Sequence, residues 1–258
     1  NYGVAHCRGD YVMFVDSDDY VSPVFVETLM RTAHESGCAI VAVPFATGFV
    51  DGAEVGLART LADVVSCGKP QRLSAKAYID MLLRHVCDTA AQLRAYRRDM
   101  VLAHPFPTGL IFEDAATVYR MVHDAGDVVL VPCEGLYAYR QRNGSIIHSS
   151  ANNCMVESAV LIGRQIEADM KAWYPDDWRS ACSCGFSINR VALMRTTEDQ
   201  AGYRVRLWDE MRRYRSGLLR DGSAKPVKRV AAALSYLGMS PFLAFSRGFD
   251  KARENGVR

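Results

Sequence analysis

Apolar residues fall along this chain in two patterns. In the first half they form short unbroken runs that stop at acids or turns, and from about residue 154 they recur at helical spacing. Tyr11–Val15 carries no charge and reads as a strand buried on both faces, inside a parallel sheet. It stops on Asp16, Asp18 and Asp19, which places negative charge at a sheet edge where open α/β folds bind ligands. Ser22 and Pro23 predict a helix start, with Ser22 as the N-cap. A stripe of Phe25, Val26, Leu29, Met30 and Ala33 follows, and Gly37 ends it. Ala39–Phe45 reads as a second buried strand, completing a strand–helix–strand unit. Asp51-Gly52 predicts a hairpin turn.

The middle of the chain is less regular. Residues 57–73 show no clear period and read as a loop. Ser74 predicts a helix cap, with Tyr78, Leu82 and Leu83 turned inward. Residues 92–102, with Arg94, Arg97 and Arg98, read as a short helix. At Gly109–Asp114 an apolar run again ends on acids, Glu113 and Asp114, and a helix with Val118, Tyr119 and Val122 on one face runs to Gly126. Two strands, Asp127–Pro132 and Leu136–Arg140, lead into Gln141, Arg142 and the turn signal Asn143-Gly144. Beyond 154 one stripe joins Met155, Ala159, Ile162, Ile166, Met170 and Trp173, and another joins Leu207, Met211, Tyr214 and Leu218. The expected fold class is α/β, a mixed sheet over residues 1–150, with helical residues 151–224 and a basic amphipathic tail at 225–258.

Composition narrows the function. The apolar fraction is 49%, enough for a sizeable core in 258 residues. A net charge of +2 gives no electrostatic case for nucleic acid. The eight cysteines form no Cys-x-x-Cys pair, so reduced thiols and a cytoplasmic setting are expected. The tail sets Lys225, Lys228, Arg229, Arg247, Lys251 and Arg253 beside Leu234, Tyr236, Leu237, Phe242, Leu243 and Phe245. Such a tail either lies peripherally on an anionic membrane face or packs on the protein's own body.

Clustered carboxylates repel one another unless a cation lies among them, and hard oxygen donors suit Mg²⁺ or Mn²⁺. A strand ending in Asp-x-Asp also opens phosphatases of the haloacid dehalogenase kind. Those continue with Gly or Val and then Thr, whereas Asp19-Tyr20-Val21 follows here.

Three segments together carry a more specific resemblance. Gly9–Tyr20 is similar to the DxD segment of bacterial family-2 glycosyltransferases of the GT-A fold. Ile111–Asp114 resembles that family's second acidic motif, and Tyr139–Ile146 its Tyr-Arg-Gln-Arg-x-Gly-Ser segment, all in the family's order. The resemblance covers residues 1 to about 150. Gln92 stands where a related family stretch carries Trp.

The resemblance implies inverting transfer of a sugar from a nucleotide-diphosphate donor to a glycan or lipid-linked acceptor hydroxyl, with Mn²⁺ or Mg²⁺. Asp18 is then the principal metal ligand, Asp16 lies near the donor ribose or the metal's water shell, and Asp19 supports the cluster. Asp114 becomes the base, and its place at a helix start favours its ionised form. Glu113 orients it or the acceptor, and Arg140, Gln141 and Arg142 approach the diphosphate. The family's nucleotide-binding strands, which precede the DxD strand, do not appear in these residues. The stretch is therefore expected to bind nucleotide sugar weakly on its own, and a non-catalytic remnant of a transferase is the alternative.

Overall fold

A computed structural model of the protein describes residues 1–52, 54–141 and 150–256, with side chains to residue 251. The chain divides into two compact units, Asn1–Thr108 with Glu113–Ile147, and Gly109–Phe112 with His148–Arg258.

The first unit holds helices α1 (Tyr2–His6), α2 (Phe25–Ser36), α3 (Leu61–Ser66), α4 (Ala75–Leu83), α5 (Arg98–Ala103) and α6 (Glu113–Ala125). Its strands are β1 (Tyr11–Met13), β2 (Tyr20–Val21), β3 (Ile40–Ala42), β4 (Thr47–Phe49), β5 (Gln71–Ser74), β6 (Arg94–Arg97), β7 (Asp127–Leu130) and β8 (Tyr137–Arg140). One mixed sheet runs β1-β6-β3-β7-β5, in which only β3 and β7 are parallel. A smaller sheet runs β2-β8-β4. Phe25 and Leu29 of α2 pack with Val41, Ala95, Val129 and Tyr137 in one buried cluster beneath both sheets.

Glycine ends two helices as expected. Gly37 and Gly126 sit at φ 68° and 79°, a region other residues enter at a cost. Ser74 caps α4 by accepting from Ala77 N–H.

Elsewhere the structure corrects the expectations. The strand at Tyr11 is three residues long, lies at the end of the sheet order and pairs antiparallel with β6, and Val15 beyond it is 51% exposed. Its first neighbour comes from the segment expected to be helical. Residues 94–97 are strand β6, and only 98–103 form a helix. Arg94 explains the misreading, since a fully buried arginine interrupts any apolar pattern. Its guanidinium donates to Tyr78 Oη at 3.1 Å and Ala90 O at 2.5 Å, and also to Asp88 O.

Helix α2 begins at Phe25, and Ser22 serves the turn before it, its hydroxyl accepting from Val24 N–H. The 57–73 stretch contains α3, closed by a reciprocal cap between Thr60 and Asp63, and strand β5. Asp51-Gly52 is a turn but not a hairpin, because β4 before it pairs parallel with β8.

The second unit is helical: α7 (Asn153–Trp173), α8 (Ser180–Met194), α9 (Ala201–Arg220), α10 (Pro226–Leu234) and α11 (Met239–Gly256). Small residues let α7, α8 and α9 approach closely. The Tyr214 ring of α9 lies over Gly185 of α8, where an added Cβ would come within 2.7 Å of it. The tail packs on this bundle. Phe242 is fully buried against Phe186 and Trp208, and Arg190 donates to both carboxylate oxygens of Asp250 at 2.7 Å. Among the described residues no helix is long and apolar enough to cross a membrane.

The Gly185 contact generates a test. Ala in a helix interior gains about 0.5–1 kcal/mol over Gly. Overpacking against a rigid ring costs about 1–3 kcal/mol. Gly185→Ala is therefore expected to lower the denaturation midpoint, and an unchanged or raised midpoint in urea would refute this packing.

Candidate active site

Strand β1 delivers the acids into a tight turn, in which Asp19 N–H donates to Asp16 O at 3.1 Å. The turn is tied to β8 through one phenol. The Tyr137 hydroxyl donates to Asp19 Oδ2 at 2.7 Å and accepts from Asp16 N–H at 3.2 Å. Arg140 N–H donates to Asp19 Oδ1 at 2.9 Å. Both oxygens of Asp19 thus hold backbone and side chain of β8. The pairing of Tyr20 with Ala138 continues the same seam.

Asp16 meets a second loop. Gln92 Nε2 donates to its Oδ2 at 2.6 Å. Gln92 lies in the short 3₁₀ turn Ala91–Leu93, which Arg94 anchors by holding the Ala90 and Asp88 carbonyls. Burial raises the Asp16 carboxyl above its ordinary range. The Gln92 bond opposes this, while Asp19, Asp18 and Glu113 add to it. The acidic turn and the start of α6 therefore lie within electrostatic reach, although nearly 100 residues separate them.

Glu113 is exposed and Asp114 is half-buried in the first turn of α6. The chain enters that helix through Phe112, whose φ of 67° is rare for an aromatic residue. Burial pushes the Asp114 carboxyl up to about 6. Its bond from Ala115 N–H, at 2.7 Å, and the charge of Arg94 lower it, while Glu113 and Asp88 raise it. The helix start was expected to favour the ionised form, and burial outweighs it.

The Arg140 guanidinium donates to Asp51 at 2.7 Å. Gln141 N–H donates to Phe49 O at 2.7 Å, and its side chain lies over Gly48. Arg142 lies outside the described residues. The sequence reading missed Tyr137, Gln92 as the partner of Asp16, and Asp51. Nothing in a strand read as Leu136–Arg140 marks one hydroxyl for an acid 118 residues away.

Among the described residues no three His, Cys, Asp or Glu side chains are arranged to enclose an ion. Asp19 accepts two hydrogen bonds and Asp16 accepts one from Gln92, so the turn offers Asp16 and Asp18 as candidate oxygen donors beside a more heavily engaged Asp19. Two carboxylates do not make a cage. They do suit Mg²⁺ or Mn²⁺ in the mode where water and a substrate phosphate complete the coordination.

Residues 1–103 match the family model described as glycosyl transferase family 2. The chain is 24% identical over 152 residues to glycosyltransferase GlyG of Streptococcus pneumoniae serotype 4, across 58% of this chain and 50% of that protein. It is 29% identical over 107 residues to the EpsH protein of Bacillus subtilis, across 40% of this chain and 28% of that one. The chain thus spans half or less of the length of these curated relatives. Its fold is similar to that of S. aureus TarS 1–349, at TM-score 0.56 and 14% identity, across 99% of this chain and 70% of that one. The same TarS fragment in complex with UDP-GlcNAc aligns at TM-score 0.54 and 13% identity, across 99% and 71%. The segment that bears the acidic turn is thus similar to family-2 glycosyltransferases, and the fold is a mixed α/β fold of the GT-A kind.

Proposed function

We propose that this chain carries the acceptor-side and catalytic part of an inverting glycosyltransferase. It would move a sugar from a nucleotide-diphosphate donor to a hydroxyl of a glycan or lipid-linked acceptor. The observation that carries this reading is the convergence of the Asp16–Asp19 turn and the Glu113–Asp114 helix start in one unit. That a TarS structure holds UDP-GlcNAc supports a nucleotide-sugar donor.

In this reading the acceptor hydroxyl attacks the anomeric carbon and forms the new glycosidic bond. The bond from that carbon to the diphosphate breaks, and its electron pair leaves with the nucleoside diphosphate. The hydroxyl proton passes to Asp114. A carboxyl at about 6 is ionised at neutral pH yet far more basic than an ordinary aspartate, which suits a general base. Glu113 orients the acceptor or the base. Asp18, with Asp16, would hold Mn²⁺ or Mg²⁺, which supplies charge stabilisation to the departing diphosphate. Asp19 positions the turn through Tyr137 and the Arg140 amide. Arg140 and Gln141 flank the diphosphate side, and Arg142 is assigned there by resemblance. The tail at 225–258 is proposed to contact the cytoplasmic face of a membrane, where a lipid-linked acceptor would lie.

Asp18→Asn in the native protein should reduce metal-dependent transfer by a factor of at least about 100 and leave the melting temperature unchanged. Undiminished turnover would remove Asp18 from the ion site. Asp114→Asn should lower kcat by about 10²–10⁴ with little change in donor affinity. Asp114 must be ionised to accept a proton, so the wild-type rate should rise with pH through about 6 and then level. An acid limb near 4, or one that persists in Asp114→Asn, would exclude it as the base.

The same shift bears on stability. A carboxyl raised in the folded state stabilises the fold below its unfolded pKa, and this contribution is lost as pH rises through about 6. Asp114→Asn should therefore melt above wild type at pH 8, by up to about 3 kcal/mol, with the gap closing towards pH 4. A gap independent of pH would contradict the assigned burial.

A further inference from the structure

The tail buries one face and presents another. Ala231, Ala232, Phe242, Leu243 and Ser246 are buried within the helical unit. On α10, positions 226, 229, 230 and 233 are exposed, the i, i+3, i+4, i+7 spacing of a single helix face. That face carries Arg229 and Val230, with Lys225 exposed just before it. The chain then turns through Ser235–Leu237, and Gly238, at φ 113°, reverses it into α11. At this corner Tyr236 is 52% exposed and Leu237 is 72% exposed.

The corner is held in place. The Arg215 guanidinium stacks on the Tyr236 ring at 3.8 Å and donates to Ser235 O at 3.2 Å. An exposed leucine beside a phenol with its ring braced by a cation is displayed at a fixed position. Along the segment itself the charge has one sign. No Asp or Glu occurs between Gly222 and Phe249, whereas Lys225, Lys228, Arg229 and Arg247 do. Lys228 points inward to Ser183 Oγ at 3.1 Å, so Lys225, Arg229 and Arg247 remain as the exposed cations. Asp250, the next acid, is engaged by Arg190.

We infer that the α10–α11 corner is a membrane-docking tip, with Leu237 and Tyr236 entering the interface of an anionic bilayer while Lys225, Arg229 and Arg247 meet lipid phosphates. Apolar insertion flanked by cations distinguishes a bilayer from a soluble polyanion, which would need only the charge. Tyrosine suits the boundary because its ring is apolar and its hydroxyl stays wet. The inference extends the tail contact proposed above and names the residues that make it.

Co-sedimentation with vesicles tests it. The chain should bind phosphatidylglycerol–phosphatidylcholine vesicles and not phosphatidylcholine alone, and salt should weaken binding. Arg229→Gln with Arg247→Gln should lower affinity about 25-fold, near five-fold for each lost cation. Leu237→Asp should lower it at least ten-fold while leaving the melting temperature unchanged, since its side chain is 72% exposed. Equal binding to neutral vesicles, no binding, or indifference to Leu237→Asp would overturn the inference. So would a dimer in solution that Leu237→Asp dissolves, which would assign the tip to a second copy. Asp18→Asn should bind vesicles as wild type does, so loss of transfer and loss of docking are separable.

Discussion

The carboxylate of Asp19 is the constraint on which the site depends. One oxygen takes the Tyr137 hydroxyl and the other takes the Arg140 amide. Through these bonds a turn at residue 19 and a strand at residue 137 become one piece. A charge-assisted bond of this kind is worth about twice a neutral one. Losing it would also leave the Tyr137 hydroxyl without its acceptor, at a cost of about 1–3 kcal/mol for an unsatisfied buried group. Asp19 thus holds the turn that carries Asp16 and Asp18 against β8, where the chain leaves towards Gln141.

Arg94 does comparable work on the other side. Its guanidinium is fully buried and meets two carbonyls and a phenol, which together shape the turn that carries Gln92 to Asp16. It also lowers the Asp114 carboxyl, against the larger effect of burial. A single buried cation therefore acts on both acidic motifs, structurally on one and electrostatically on the other. Removing it would loosen the turn that holds Gln92 against Asp16 and would leave the Asp114 carboxyl higher still.

What was legible in the sequence was periodic or punctuated. Helices α2, α6, α7 and α9 follow from their apolar stripes, and Gly37 and Gly126 mark two ends because the backbone there needs positive φ. What was not legible depended on partners distant in sequence. Strand β6 hides behind Arg94, whose burial is tolerable only because the fold brings carbonyls to it. Strand β1 has the composition of a buried central strand, but its pairing is set by β6. Helix α3 is short and capped by Asp where the usual box has Glu or Gln. Clustering singles out the acids in the sequence, while nothing there points to Tyr137 and Gln92 as their hydrogen-bond partners, since neither residue type announces a carboxylate partner.

Charge balance supplies the remaining argument about the site. The first unit holds 13 Lys and Arg against 17 Asp and Glu, a net of −4, while the second holds 18 against 12, a net of +6. A nucleoside diphosphate is itself anionic, and the proposed site offers it Asp16 with Asp18 and Glu113 within electrostatic reach of that carboxyl. Arg140, whose guanidinium is engaged by Asp51, offsets them only in part. At effective dielectric values near 20, each like-charge pair at about 4 Å costs about 4 kcal/mol. A bare diphosphate would be repelled from such a turn; within the protein burial is the first cause of the raised Asp16 carboxyl, and Asp19, Asp18 and Glu113 add to it. Asp16 and Asp18 would hold a divalent cation there, and its charge would offset that repulsion. The physical case for Mn²⁺ or Mg²⁺ therefore rests on an excess of anions that substrate binding would increase.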